Sequence, residues 1–323
     1  MQGSPGPRPA LVVENVVKRF GDVTALDGLS FSVARGEVLG MLGPNGAGKT
    51  TAINILATLL RPDSGTAVVA GHDVLAQPHE VRSAIALTGQ FAAVDEALTG
   101  SENLVLFGRL RGLSRSQSQQ RSAQLLEEFA LTDAAGKLVR TYSGGMRRRL
   151  DLAASLVVPA EVVFLDEPTT GLDPRSRNEL WDVVRQLRAD GLTIVLTTQY
   201  LEEADQLAER IIVIDKGMVI AKGTPEELKA TAGGSSAVAV PAEAHHLAGL
   251  AAALAGIGPT TVEVETGGVV VAGGGSGHLA PIVLRAQEAG IALADVSVRT
   301  PSLDDVFLQL TDQGAPQPAE VAS

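Results

Sequence analysis

The sequence predicts an α/β protein: a parallel sheet with helices between its strands, followed by a smaller α+β module. Three observations predict it. The apolar runs at residues 38–42 and 162–165 have the unbroken hydrophobicity of strands buried on both faces. Long stretches with helical spacing lie between them. Beyond a Gly/Ser-rich stretch, residues 237–312 read as strand, helix, strand, strand, helix, strand, the βαββαβ order of a ferredoxin-like module. At 323 residues the chain has room for two cores.

Residues 1–9 are rich in Pro and Gly and read as a disordered tail. Residues 11–13 open a strand, 31–33 form another, Arg35-Gly36-Glu37 is a turn, and 38–42 is a buried strand. The next helix is expected to carry Ile53, Leu56, Leu59 and Leu60 on one face until residues 61–65 break it. Residues 92–160 are mostly helical and read as a subdomain, with Glu102, Leu106 and Leu110, then Leu125, Leu126 and Phe129, at stripe spacing. The run at 162–165 and the strands expected at 193–197 and 211–214 return to the sheet.

Thr224-Pro225-Glu226-Glu227 supplies an N-cap, a first-turn proline and a capping-box acid, so a helix is expected to end the first domain at residue 231. Residues 232–236 read as a linker. In the module that follows, strands are expected at 237–240, 260–265, 269–271 and 291–298, with helices at 242–255 and 279–289. A last helix at 302–310 carries Leu303, Val306, Phe307 and Leu310 on one stripe, and residues 313–323 read as a second disordered tail. His245, His246 and His278 have no supporting carboxylate spacing and read as solvated rather than metal-bound.

Composition narrows the function. The formal charge of −11 argues against a nucleic-acid backbone as partner, because phosphate binding along a duplex needs a basic surface. The chain has no cysteine, which excludes disulfides and thiolate chemistry and suits the cytoplasm. No signal peptide and no apolar run near the ~18 residues of a membrane span is evident, so a role at a membrane is expected to come through a partner.

Three motifs carry chemistry. Gly43-Pro44-Asn45-Gly46-Ala47-Gly48-Lys49-Thr50, followed by Thr51, joins a buried strand to a helix and fits G-x-x-x-x-G-K-[ST]. In such a loop the backbone N–H groups and the helix N-terminus cradle a polyphosphate, Lys49 reaches the β- and γ-phosphates, and Thr50 offers a hydroxyl to Mg²⁺. A chance match in a chain of this length has a probability of about 1%. At the tip of a buried strand, Asp166 would hold Mg²⁺ through its water shell and Glu167 would polarise the attacking water. Ser143-Gly144-Gly145 at a helix start makes a further anion site.

The order of these motifs, with Gly171-Leu172-Asp173-Pro174 closing the series, resembles the ATP-binding-cassette (ABC) family over residues 10–230. The resemblance implies a P-loop NTPase fold with a β-rich edge, a RecA-like core and a helical subdomain. It implies ATP and Mg²⁺ as cofactors, and Phe20 as the aromatic that stacks on adenine. It implies Gln90 as the glutamine-loop residue that senses Mg²⁺ and the γ-phosphate and links to the membrane partner, and Ser143, Gly144 and Gly145 as the signature motif. Asp173 falls in the loop joining two sites, and Gln199 at the switch position. The family pairs two such domains around two ATP molecules, so this chain is expected to act as a homodimer. A separate multi-span permease is the expected partner, at the cytoplasmic face of the membrane.

Two motifs depart from the family pattern: the signature begins with Tyr142 and ends with Met146, and the switch is Gln199 where histidine is usual. Residues 197–205 and 301–307 resemble the drug-exporting branch of the family. An importer subunit or a non-transport regulatory ATPase of the same family is the alternative. A catalytically dead binding module is disfavoured by intact Lys49, Asp166 and Glu167.

Overall fold

The computed structural model describes residues 8–89, 93–263, 266–273 and 275–312, with the side chains of the last helix described as far as Phe307. Residues 1–7 of the expected tail at 1–9, the expected tail at 313–323, and Gln90 lie outside the described residues. The chain divides after Thr224 into two compact units.

The first unit opens with β1 (Leu11–Phe20) and β2 (Val23–Val33), then β3 (Val38–Leu42) and α1 (Lys49–Leu56). Next come β4 (Ser64–Val69), β5 (His72–Asp73), α2 (Pro78–Ala84) and β6 (Ile85–Thr88). The helical segment holds α3 (Gly100–Leu110), α4 (Arg115–Glu128) and α5 (Gly144–Ser155). The unit closes with β7 (Val162–Asp166), α6 (Pro174–Ala189), β8 (Thr193–Thr198), α7 (Leu201–Leu207), β9 (Arg210–Asp215) and β10 (Met218–Gly223).

Two sheets form. One is antiparallel, in the order β2-β1-β4-β5. The other runs β10-β9-β3-β8-β7-β6, parallel except for β10. Strands β3 and β7 are buried at every residue, as expected of a parallel sheet covered on both faces. Because β8 lies between β3 and β7, the carboxyl ends of three neighbouring strands open into one place.

Helix starts are set by local chemistry. Thr99 with Glu102 and Ser114 with Gln117 form reciprocal capping boxes for α3 and α4. The stripe expected from Glu102, Leu106 and Leu110 is the wrong face of α3. Glu102 is committed to the cap, Leu106 and Leu110 are exposed, and the buried side is Asn103, Leu104 and Gly108. Leu125, Leu126 and Phe129 are buried as expected. Helix α1 stops at Leu56, short of the expected end, and Thr58 at φ 63° turns the chain away and leaves Leu59 exposed.

The second unit contains α8 (Pro225–Thr231), β11 (Ser236–Pro241), α9 (Leu247–Leu254), β12 (Thr260–Glu263) and β13 (Gly268–Val271). It ends with α10 (Leu279–Glu288), β14 (Leu293–Arg299) and α11 (Leu303–Asp312). Its sheet order β12-β13-β11-β14, antiparallel throughout, is the split βαβ arrangement read from the sequence. Ala237, Ala239, Val269, Val271, Leu250, Leu254 and Ile282 share its core. Helix α8, expected to end the first domain, falls in this unit instead, because α11 packs against it. Pro225, Leu228, Leu303 and Val306 are all buried, whereas Phe307 is only half-buried. His245 and its neighbour His246 sit at a turn near the surface, and the carboxylate that the sequence reading missed is Glu243, 3.2 Å from His245 Nδ1.

Candidate functional site

The phosphate-loop residues are shaped by backbone conformations that only glycine takes without strain. Gly46 and Gly48 have φ of 82° and 107°, and a Cβ on Gly48 would lie 2.5 Å from the Ala25 carbonyl. Gly43 approaches the Ile214 carbonyl so closely that a Cβ there would lie 2.3 Å from it. Gly48 is the N-cap of α1 and offers no side chain to the first-turn N–H groups, and no acidic residue stands there. Those donors are left for an anion. Pro44 is half-buried, Asn45 and Gly46 are exposed at the tip, Ala47 is buried, and Thr50 and Thr51 follow on the first turn.

Lys49 is 5% exposed. Its ammonium donates to the carbonyls of Gly43 (2.8 Å) and Pro44 (3.1 Å) and stands 3.8 Å from Glu167 Oε1. Burial lowers its pKa, and the Glu167 and Asp166 carboxylates pull the other way. Thr50 Oγ1 donates to Asp166 Oδ1 at 3.3 Å. Residues from two separate motifs therefore meet: Lys49 and Thr50 on the loop, Asp166 and Glu167 at the end of β7.

Thr197 completes the cluster, and sequence reasoning did not find it. Its hydroxyl donates to Asp166 Oδ1 at 2.6 Å, and its hydroxyl and carbonyl oxygens both accept from the Glu167 N–H, at 3.0 and 3.1 Å. Glu167 needs that support because its φ is 47°, a left-handed conformation costly for a non-glycine residue. Thr170 Oγ1 donates to Glu167 Oε2 at 3.3 Å. The signal available was position: Thr197 is two residues before Gln199, at the end of a strand already assigned. Gln199 itself is half-buried and makes no hydrogen bond among the described residues.

The remaining predicted residues stand at the periphery. Phe20, at the end of β1, is 50% exposed with the Lys18 ammonium 5.5 Å from its ring centre. Ser143 caps α5 by accepting from Met146 N, and Ser143 and Gly144 are exposed. Gly145 is there because α5 crosses α6 closely: a Cβ would lie 2.5 Å from Ser176 Cβ. Tyr142 is buried, and its hydroxyl donates to Ala134 O at 2.7 Å, so this departure from the family pattern serves the helical core. Asp173 caps α6 by accepting from Ser176 N and Oγ, and those bonds hold its carboxyl below the usual range. No hydrogen bond joins the Ser143–Gly145 turn to the phosphate loop among the described residues.

In the run Arg147-Arg148-Arg149, which sequence reasoning does not single out, the second and third members are nearly buried. Arg149 donates to Phe129 O at 3.1 Å and pairs with Glu179 at 3.2 Å. Arg148 reaches the end of β7, where it donates to the carbonyls of Pro168 and Asp166. Among the described residues no helix is long and apolar enough to cross a membrane.

Residues 26–170 match the sequence profile of the family described as ABC transporter. The chain is 54% identical to the daunorubicin resistance ATP-binding protein DrrA3 of Streptomyces coeruleorubidus, over 94% of this chain and 96% of that one. It is 52% identical to the doxorubicin resistance ATP-binding protein DrrA of Mycobacterium tuberculosis, over 94% and 93%. Its fold matches an ADP conformation of an ATP-binding cassette from an ABC transporter with a TM-score of 0.60 and 28% identity, over 68% of this chain and 92% of that one. The chain belongs to the ATP-binding-cassette family, as an ATP-binding subunit and ATPase of the kind that powers transport.

Proposed function

We propose that this chain hydrolyses MgATP in a site shared by two copies of itself and thereby powers export of an antibiotic or other hydrophobic drug through a separate permease. One observation carries the reading: Lys49 and Glu167 stand 3.8 Å apart, with Thr50 and Asp166 3.3 Å apart beside them. On nucleotide binding, Lys49 exchanges the Gly43 and Pro44 carbonyls for β- and γ-phosphate oxygens, a charge-assisted contact. Thr50 and Asp166 are hard oxygen donors of the type Mg²⁺ accepts, with Gln90 as a further ligand. The bound ion would neutralise charge developing on the transferring phosphate. Glu167 takes the proton of the attacking water, and the Gln199 amide orients the γ-phosphate without titrating. Phe20 stacks on adenine. Ser143, Gly144 and Gly145 of one copy close over the nucleotide of the other, beside Asp173.

The drug class comes from the names of the relatives at 54% and 52% identity, both drug-resistance ATP-binding proteins. A groove lined by Leu59, Ile85, Leu87, Phe107, Leu110 and Ala154 supports the permease. Leu59 and Leu110 are exposed on it, and a short amphipathic helix on the cytoplasmic side of a membrane protein would cover them. Steady-state hydrolysis beside the permease in vesicles tests the reading. Glu167→Gln should lower turnover by roughly 10²–10⁴-fold, the usual share of general-base catalysis. Gln199→Ala should slow it less, and Gln199→His should be as fast or faster. Parent-level turnover in Glu167→Gln would overturn the assignment.

A further inference from the structure

We propose that Arg148, together with Asp151 on the next turn of α5, is a positioning pair for hydrolysis. It ties the helix that begins at Ser143-Gly144-Gly145 to the strand end carrying Asp166 and Glu167. The inference rests on the reading of Glu167 as the base.

One guanidinium gathers several backbone oxygens. Arg148 Nε donates to Pro168 O at 2.9 Å, Nη2 to Asp166 O at 3.1 Å, and Nη1 to Gly89 O at 2.5 Å. The Asp166 and Pro168 carbonyls flank Glu167, where the chain leaves β7 with left-handed backbone, and the Gly89 carbonyl follows the end of β6. Asp151 Oδ2 lies 3.8 Å from Arg148, and its other oxygen accepts from Ala93 N at 2.6 Å. Gly89 and Ala93 flank the segment that contains Gln90, so one helix is bonded to the chain on both sides of it. Both side chains are nearly buried, at 11% and 5% exposure. Burying a charged pair is costly unless its geometry is exacting, and here the fork is spent on backbone carbonyls rather than on a surface partner. A fork of fixed N–H directions transmits a shift of α5 to the backbone of Glu167. A flexible lysine cannot span the same oxygens.

The test compares Arg148→Lys and Asp151→Asn with the parent in melting temperature, ATP affinity, turnover and amide exchange. Arg148→Lys should melt close to the parent and bind ATP within about threefold, while turnover falls at least tenfold with KM little changed. In the nucleotide-free protein, amide exchange in peptides spanning residues 165–170 should speed up at least tenfold. Asp151→Asn keeps an oxygen for Ala93 N and should lose less turnover than Arg148→Lys. If the turnover lost by Arg148→Lys matches its loss of folded protein, or exchange at 165–170 is unchanged, the pair is merely structural and the proposal fails. Failure of the Glu167 reading itself would show separately, as hydrolysis surviving in Glu167→Gln with Arg148 intact.

Discussion

Thr197 and Asp166 are directly opposed across β8 and β7, and the threonine hydroxyl donates to Asp166 Oδ1 at 2.6 Å while accepting from the Glu167 N–H at 3.0 Å. One buried hydroxyl thus fixes both carboxylate residues at the end of β7. Thr197→Val keeps the shape, strips Asp166 of a donor and leaves the Glu167 N–H with one acceptor. It should cost about 1–3 kcal/mol of stability, the penalty for unsatisfied buried polar groups, and should lower turnover as well. Thr197→Ser should restore both. Denaturant melts and steady-state hydrolysis check it, and a valine variant equal to the parent in both would show that the hydroxyl does not matter.

Gly144 and Gly145 are expected to separate by role. A Cβ on Gly145 would lie 2.5 Å from Ser176 Cβ, so Gly145→Ala must push α5 from α6 and should cost about 1–3 kcal/mol. Among the described residues a Cβ on Gly144 would have only Leu172 Cδ2 within 4 Å, at 3.6 Å, so Gly144→Ala should leave melting unchanged while weakening ATP-dependent pairing of two chains. Equal melting losses in the two variants would contradict this division.

Glu203 is fully buried, its Oε1 accepting from Trp181 Nε1 at 3.2 Å, and burial pushes its carboxyl above the usual range against the pull of its hydrogen bonds and of Arg177. The folded chain therefore holds this proton more tightly than the unfolded chain. The stability it contributes is complete below the unfolded carboxyl value of about 4.3 and is lost as pH rises through the folded one. Glu203→Gln cannot ionise, so its melting temperature relative to the parent should rise from pH 4 to pH 8. A difference that stays flat across that range would exclude the mechanism.

What the sequence disclosed and withheld follows from range. The phosphate loop and the Asp166-Glu167 strand tip are local signals, with turn, strand and chemistry contained within a few residues. The βαββαβ order of the second unit was legible for the same reason. Thr197 was not, because its role depends on β8 lying between β3 and β7, a matter of sheet order. Arg148 was not, because which members of an arginine run are buried, and which carbonyls they reach, is decided by what α5 packs against. The misread face of α3 has a similar cause: Glu102 has the spacing of a stripe residue but is taken by the Thr99 cap. Likewise α8 reads as the end of one domain until α11, more than 70 residues later, is seen to cover it.

The central claim is that two chains share each ATP, and Glu167→Gln with bound ATP tests it most directly. The substitution leaves Lys49 and Thr50 in place and removes the base, so the nucleotide should stay unhydrolysed and bridge two copies through Ser143-Gly144-Gly145. Light scattering after size-exclusion chromatography should give monomer without nucleotide and about twice that mass with MgATP, reverting to monomer when Ser143 is also replaced by Arg. A Glu167→Gln protein that binds ATP yet remains monomeric, with or without its permease, would contradict the shared site.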